Sequence, residues 1–118
     1  MAEPASIAVM RGAELPFRIV QGDGAAGLSL ARLYQPADQA FTFQLARIEA
    51  GGISRRHRHH WEQCNWVVSG RGLVDTGTEQ IAIAAGDCVI FPGGIDHAIS
   101  NAGDEPLLLV AVLGAGAF

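Results

Sequence analysis

Turn-forming residues cut this chain into short segments, and helical spacing of apolar residues is sustained in none of them. Breakers fall at Gly22-Asp23-Gly24, Pro36, Gly51-Gly52, Gly70-Arg71-Gly72, Gly77, Gly86, Pro92-Gly93-Gly94 and Gly103, so each segment has the length of a strand. Inside the segments the period is two. Phe41, Phe43 and Leu45 alternate with Thr42 and Gln44, and Ile81 and Ile83 alternate with Gln80, Ala82 and Ala84, which is how an extended chain sorts its side chains onto two faces. Many short strands with regular turns imply an all-β sandwich or barrel. Strands are expected over 7–11, 17–20, 28–33, 41–50, 55–60, 62–69, 72–75, 80–84, 87–91, 98–102 and 107–113. Asp75-Thr76-Gly77-Thr78-Glu79 reads as a hairpin turn, with glycine supplying a positive φ at no steric cost.

At 118 residues the chain is expected to be one domain, 1–118, able to bury a core without disulfide or metal staples. Glycine at 15 residues exceeds the usual share and charged residues at 17% fall below it, as suits a compact, turn-rich fold. The formal charge of −4 argues against a nucleic-acid partner. The run Arg55-Arg56-His57-Arg58-His59-His60 can be read as an anion patch, but metal ligation explains its histidines better. The start, Met-Ala-Glu-Pro, shows no secretory signal, and the apolar run 107–113 is far too short to span a membrane. A cytoplasmic protein is expected, with Cys64 and Cys88 as reduced thiols. The apolar content, 49%, is high for an isolated chain of this length and favours a homodimer. In the tail, Gly114-Ala115-Gly116-Ala117-Phe118, the chain either frays or uses Phe118 to pin itself to a neighbouring subunit.

Two stretches carry chemistry. The first reads Gly51-x5-His57-x-His59-x3-Gln63-x6-Gly70 and the second Gly86-x5-Pro92-x-Gly94-x2-His97-x3-Asn101. A His-x-His pair in an extended strand puts both imidazoles on one side, ready to hold a single ion, and His97 from a distant strand closes a facial set that leaves positions open. His60 breaks the alternation, so it points away as a turn residue or stands as a proton-shuttle candidate.

In these two motifs the chain resembles the cupin superfamily, in particular its small single-domain bacterial members. The resemblance implies a double-stranded β-helix, or jelly-roll barrel, with a metal held inside. The second motif matches throughout; the first has Gln63 where the family usually has glutamate. Spacing against Gly70 favours Gln63 as fourth ligand beside His57, His59 and His97, while Glu62 is chemically the better donor and a twisted turn would bring it in instead; the remaining alternative is a site with no fourth protein ligand. A neutral amide leaves the dication charge intact, so an anionic substrate should bind well. The cofactor is expected to be one divalent transition metal: Fe, Mn, Ni, Cu or Zn, among which imidazole ligands discriminate poorly. Pro92-Gly93-Gly94 should form the tight turn that aims His97 inward, and Asn101 should satisfy backbone groups rather than touch a ligand.

Period-two counting from an inward Gln63 sends Trp61, Asn65 and Val67 inward, with Cys64 and Trp66 outward. Trp61, Arg55 and Asn65 are candidates for substrate binding, Arg55 through a substrate carboxylate. Phe41, Phe43, Tyr34, Ile99 and Phe91 are candidates for the cavity wall. The expected function is that of a metal-dependent enzyme on a small oxygenated substrate with chelating oxygen donors. Dioxygenase-like chemistry comes first, with isomerase or lyase chemistry close behind, and Glu62 and His60 are the acid–base candidates. The alternatives are a non-catalytic binding or sensor barrel and a subunit that stabilises a larger assembly.

Overall fold

A computed structural model of the protein describes residues 6–116. The chain start and Phe118, on which the signal and tail expectations rest, lie outside the described residues. After one 3-10 turn at Gly12–Glu14, nine strands follow: β1 (Arg18–Val20), β2 (Ala26–Tyr34), β3 (Phe41–Ile53), β4 (Gln63–Ser69), β5 (Arg71–Asp75), β6 (Gln80–Ala84), β7 (Cys88–Phe91), β8 (Ala98–Asn101) and β9 (Leu107–Gly114). All pair antiparallel.

One curled sheet makes both walls of a jelly-roll barrel. The larger wall runs β1-β2-β3-β9-β4-β7, and the smaller runs β6-β5-β8 and rejoins the end of β3, where Ile53 pairs with Ser100. The bend that lets β3 serve both walls falls at Gly51-Gly52. Gly51 has a φ of 79°, and the β2–β3 register slips between Ala26↔Ile53 and Leu28↔Ile48. The glycine pair therefore bends a strand where sequence reasoning had it end one.

Nine of the eleven expected strands form, with edges within three residues. Segment 7–11 forms no strand among the described residues, and Ile7, Val9 and Met10 are exposed. Segment 55–60 is irregular apart from one bridge, His57↔His97. Its histidines bond to backbone carbonyls two residues away, a local competition that diverts the chain from a regular ladder. The hairpin turn closes as expected, with Thr76 N donating to the Glu79 carbonyl and Gly77 at a φ of 92°.

Inward residues line up in rows across the larger wall. Leu28 faces Ile48, which faces Leu107; one row on, Leu30, Ala46, Leu109 and Val67 stand side by side. These rows, with Val74, Ile83 and Ile99 from the smaller wall, form the apolar core, each large side chain contributing about 2 kcal/mol by leaving water. The next row is different. Arg32 faces Gln44, Gln44 faces Ala111, Ala111 faces Asn65, and Asn65 faces Val89; beyond it come Thr42, Leu113, Gln63 and Phe91. Polar groups thus enter the interior at one end of the barrel, and a cavity runs from them down to Leu28, Ile48 and Leu109 of the apolar rows.

Candidate metal centre

His57 and His97 exchange both backbone hydrogen bonds, His57 N to the His97 carbonyl at 3.2 Å and His97 N to the His57 carbonyl at 3.1 Å. Residues opposite one another in such a pair project to the same side. His59 joins them from the irregular segment, which is held down by the second motif's turn: Gly94 N donates to the His59 carbonyl at 2.7 Å. At Gly93 a methyl group would overlap the His60 carbonyl, so only glycine lets the two loops approach this closely. The Pro92-Gly93-Gly94 turn thus holds His59 as well as leading to His97.

The three rings form a nearly equilateral triangle, with centroids 4.8, 4.9 and 5.0 Å apart. One ligand atom from each lies within 4.8 Å of the others. Every Nδ1 is within reach of a backbone carbonyl: Arg55 for His57 at 3.0 Å, Trp61 for His59 at 2.9 Å and Ile95 for His97 at 3.0 Å. A carbonyl only accepts, so Nδ1 carries the proton and each Nε2 keeps its lone pair for a metal. Flat rings steady the set: Trp61 stacks on His59 at 4.3 Å and Phe91 on His97 at 4.0 Å.

The residues present fit a divalent transition metal. The His59 Nε2 is buried with no hydrogen-bond partner among the described residues, a costly arrangement that ligation would relieve. Burial, reinforced by the neighbouring imidazoles and only partly opposed by the Ile95 carbonyl, pushes His97 down to about 4. Burial lowers His57 as well, against the Arg55 carbonyl bond that raises it. Both rings are therefore neutral near pH 7, the form a metal takes.

Gln63 lines the same cavity. Asn65, only 2% exposed, donates from Nδ2 to the Val89 carbonyl at 3.3 Å, which turns its Oδ1 to accept from Gln63 Nε2 at 2.8 Å. The chain of bonds commits the Gln63 nitrogen and leaves its Oε1 as the uncommitted end. Asn65 is thus an anchor for Gln63, a use that the sequence alone did not show.

Trp61, Arg55 and Asn65 all line the cavity, which has a volume of about 380 Å³. Along β4, Gln63, Asn65 and Val67 turn inward while Cys64 and Trp66 turn out, as alternation predicts. Glu62 and His60 are exposed and do not line the cavity; the Glu62 carbonyl accepts from Gly114 N, and the His60 ring packs edge-on against Trp61. Of the two, Gln63 and not Glu62 therefore lines the cavity that His57 and His97 also line. Ile99 and Phe91 form cavity wall, but Phe41, Phe43 and Tyr34 do not, and Tyr34 and Phe41 pack on each other with ring centroids 6.1 Å apart. Asn101 bridges backbone as expected, donating to the Ile48 and Glu105 carbonyls and accepting from Gly103 N. Cys64 and Cys88 are free thiols on the outer face, 3.8 Å apart.

Sequence reasoning missed Arg18, Arg32, Asp23 and Gln44, which also line the cavity. For Arg32 a signal existed, since it shares the parity of Leu28 and Leu30 on β2, and an arginine on the apolar side of a strand marks a wet interior.

Comparison with known proteins agrees with this geometry. The structure is similar to a predicted oxalate decarboxylase from Thermotoga maritima, with a TM-score of 0.80 and 22% identity over 92% of this chain and 99% of that one. It is also similar to the polyketide cyclase RemF from Streptomyces resistomycificus, with a TM-score of 0.79 and 16% identity over 92% and 80%. A candidate sugar phosphate isomerase from Acidithiobacillus ferrooxidans is 36% identical over 64% of this chain and 50% of its own, with a TM-score of 0.59. An uncharacterized protein of Methanocaldococcus jannaschii is 29% identical over 66 residues, so the match spans about half of that relative's length, 53%. The pattern of the Cupin_2 family, the cupin domain, matches residues 44–113, well over half of the sequence. With the curled antiparallel barrel and the three converging histidines, that match makes this chain a member of the cupin family.

Proposed function

We propose that this protein is a metal-dependent enzyme acting on a small organic molecule whose neighbouring oxygen donors chelate the metal, with dioxygenase-like chemistry as the leading reading. The observation that carries it is the convergence of three imidazoles, each with Nδ1 committed to a backbone carbonyl, beside a cavity that His57 and His97 line and that is large enough for a small substrate. A divalent ion held by His57, His59 and His97, with Gln63 Oε1 as fourth ligand, would polarise the bound substrate and, if redox-active, pass electrons between it and dioxygen. Trp61 walls the site, and its buried Nε1, without a partner among the described residues, can donate to the substrate.

Oxygen chemistry is favoured over isomerase or lyase chemistry because the latter needs a protein acid or base at the reacting carbon. Glu62 and His60 lie outside the cavity, and Asp23 is the one carboxylate among the described lining residues. The candidate sugar phosphate isomerase keeps the isomerase reading second, with Asp23 as its base.

A homodimer suits the outer face of β4, β7 and β9, where Trp66 is 51% and Ile90 62% exposed and Val112 lies alongside.

The test is metal content by mass spectrometry on protein purified without chelator, followed by oxygen uptake with diketone and catechol-like probes. Uptake that requires metal and is lost in His57→Ala supports the proposal. Loaded protein that gains thermal stability with the probes but consumes no oxygen and yields no product would mark a binding barrel instead.

A further inference from the structure

Of the chain's eight basic residues, all arginine, three line the cavity: Arg18, Arg32 and Arg55. Asp23 is the one acidic residue among the described lining residues, and it sits at the histidine end, where its carbonyl accepts from Arg56 N and its charge bears on His57. A chain with a net charge of −4 therefore encloses a cavity of the opposite sign.

The register separates these charges into two groups. Arg55 stands beside the histidines. Arg18 pairs with Leu30, two positions from Arg32 on the same face of β2, so Arg18 and Arg32 are diagonal neighbours on the cavity side. Arg32 in turn is opposite Gln44, in the row that continues through Ala111 to Asn65. Ala111, the small residue in the middle of that row, leaves space between the arginines and Gln63. From β4 to β2 is three strand spacings, about 14 Å along the sheet, and side chains reaching inward from a curled wall close much of that gap.

We propose that Arg18 and Arg32 form a second recognition point, for a terminal oxyanion, carboxylate or phosphate, on a substrate whose other end chelates the metal between His57, His59 and His97. The near end of this arrangement rests on the chelating reading above. Two guanidinium groups side by side repel each other, and an oxyanion bound between them removes the repulsion while accepting charge-assisted hydrogen bonds. Burial and the charge of Arg18 both push Arg32 below the usual arginine value, which fits two cations sharing one face of the cavity. Gln44, next to Arg32 and buried, supplies a neutral amide to the same group.

The first arm of the test uses metal-free protein. Arginine Nε–Hε resonances are followed by NMR during titration with glutarate and, separately, with propyl phosphate. Those of Arg18 and Arg32 should shift saturably with at least one probe, and the tighter probe names the oxyanion; Arg47, exposed and paired with Glu49, is the control. If neither Arg18 nor Arg32 moves, or if Arg47 moves as much, the proposal is overturned.

The second arm uses Co(II)-loaded protein and calorimetry with 2-oxoglutarate and 2-oxopentanoate, which share the chelating end and differ in the terminal carboxylate. Wild type should prefer 2-oxoglutarate about tenfold or more, and Arg32→Gln or Arg18→Gln should reduce the preference below about threefold while leaving 2-oxopentanoate unchanged. Arg18 is exposed on an edge strand, so its replacement keeps the test open if Arg32→Gln does not fold. Equal binding of the two acids by wild type would sink the arginine site and leave chelation standing. Arginine shifts in the first arm with no keto-acid binding in the second would do the reverse.

Discussion

Strands β3, β9 and β4 each run through both ends of the barrel, and within four residues the meaning of "inside" changes along them. At Ile48, Leu107, Leu109 and Val67 the inward side chains are apolar and almost wholly buried. Further along the same strands the inward positions are Gln44 and Thr42 on β3 and Asn65 and Gln63 on β4, while the outward positions carry Phe41, Phe43, Trp66 and Val112. One end is apolar and the other turns polarity inside out, and the cavity between them is walled by Ile48 and Leu109 on the first side and by Gln44, Asn65 and Gln63 on the second. Backbone pairing is continuous between the two, so the sheet supplies the rigidity and side chains alone decide which end is stable and which end binds.

The sharpest way to break that division is to damage one end and read the other. His97→Ala should lower metal affinity by more than about 100-fold while leaving the unfolding midpoint of metal-free protein near that of wild type. Ile48→Ala should cost about 3 kcal/mol in urea unfolding while the folded fraction still takes up one metal per chain. Metal loss from folded Ile48→Ala would mean that the two ends are mechanically one.

Gly93→Ala should strike both ends of the comparison at once. The added methyl group overlaps the His60 carbonyl, and the displaced loop carries His59. A destabilisation of about 2 kcal/mol together with weakened metal binding is expected, measured by the same urea and metal titrations. Unchanged metal affinity would show that the turn aims His97 without fixing His59.

Acid should weaken the metal-free protein through the open end. The folded value of His97, about 4, lies below the ordinary 6.5. As pH falls from about 6.5 towards 4 the unfolded chain takes up a proton that the folded chain refuses, so stability falls across that window and levels off below it. His57, lowered as well, acts in the same direction. With solvent on the cavity side allowed for, the loss should be about 2 kcal/mol between pH 7 and 4. Urea titrations of wild type and His97→Gln at both pH values measure it, and an equal loss in the variant would assign the effect elsewhere.

These effects also indicate what the sequence could and could not tell. The histidine set was legible because its spacing must meet a metal's geometry whatever surrounds it. The placement of β4 side chains was legible because a one-residue slip would invert every contact. The facing of β3 was not. Hydrophobic periodicity assigns Phe41 and Phe43 to the interior, and that rule holds only where the interior is dry. A cavity reverses it, and nothing local to 41–45 announces a cavity. The segment 55–60 misled for a related reason: alternation of His57 and His59 looked like a strand, but imidazole-to-carbonyl bonds fold it into a loop that still brings the rings together. Arg18 escaped because its place in the cavity depends on its pairing with Leu30, a long-range fact.

The smallest expected effect tests the seam between the two ends. Asn65 belongs to the buried row, yet its Oδ1 holds Gln63 and its Nδ2 holds the Val89 carbonyl of β7. Asn65→Ala should weaken metal binding about tenfold by releasing the Gln63 amide, and Gln63→Ala should weaken it by a similar factor. If Asn65 acts only through Gln63, the double variant should bind metal no worse than Gln63→Ala, a coupling that a double-mutant cycle reads directly. Additive losses would mean that Asn65 shapes the cavity on its own account and that Gln63 Oε1 reaches the metal, if it does, without being held. The cycle therefore separates a ligand prepared by its neighbour from two polar residues that share a wall.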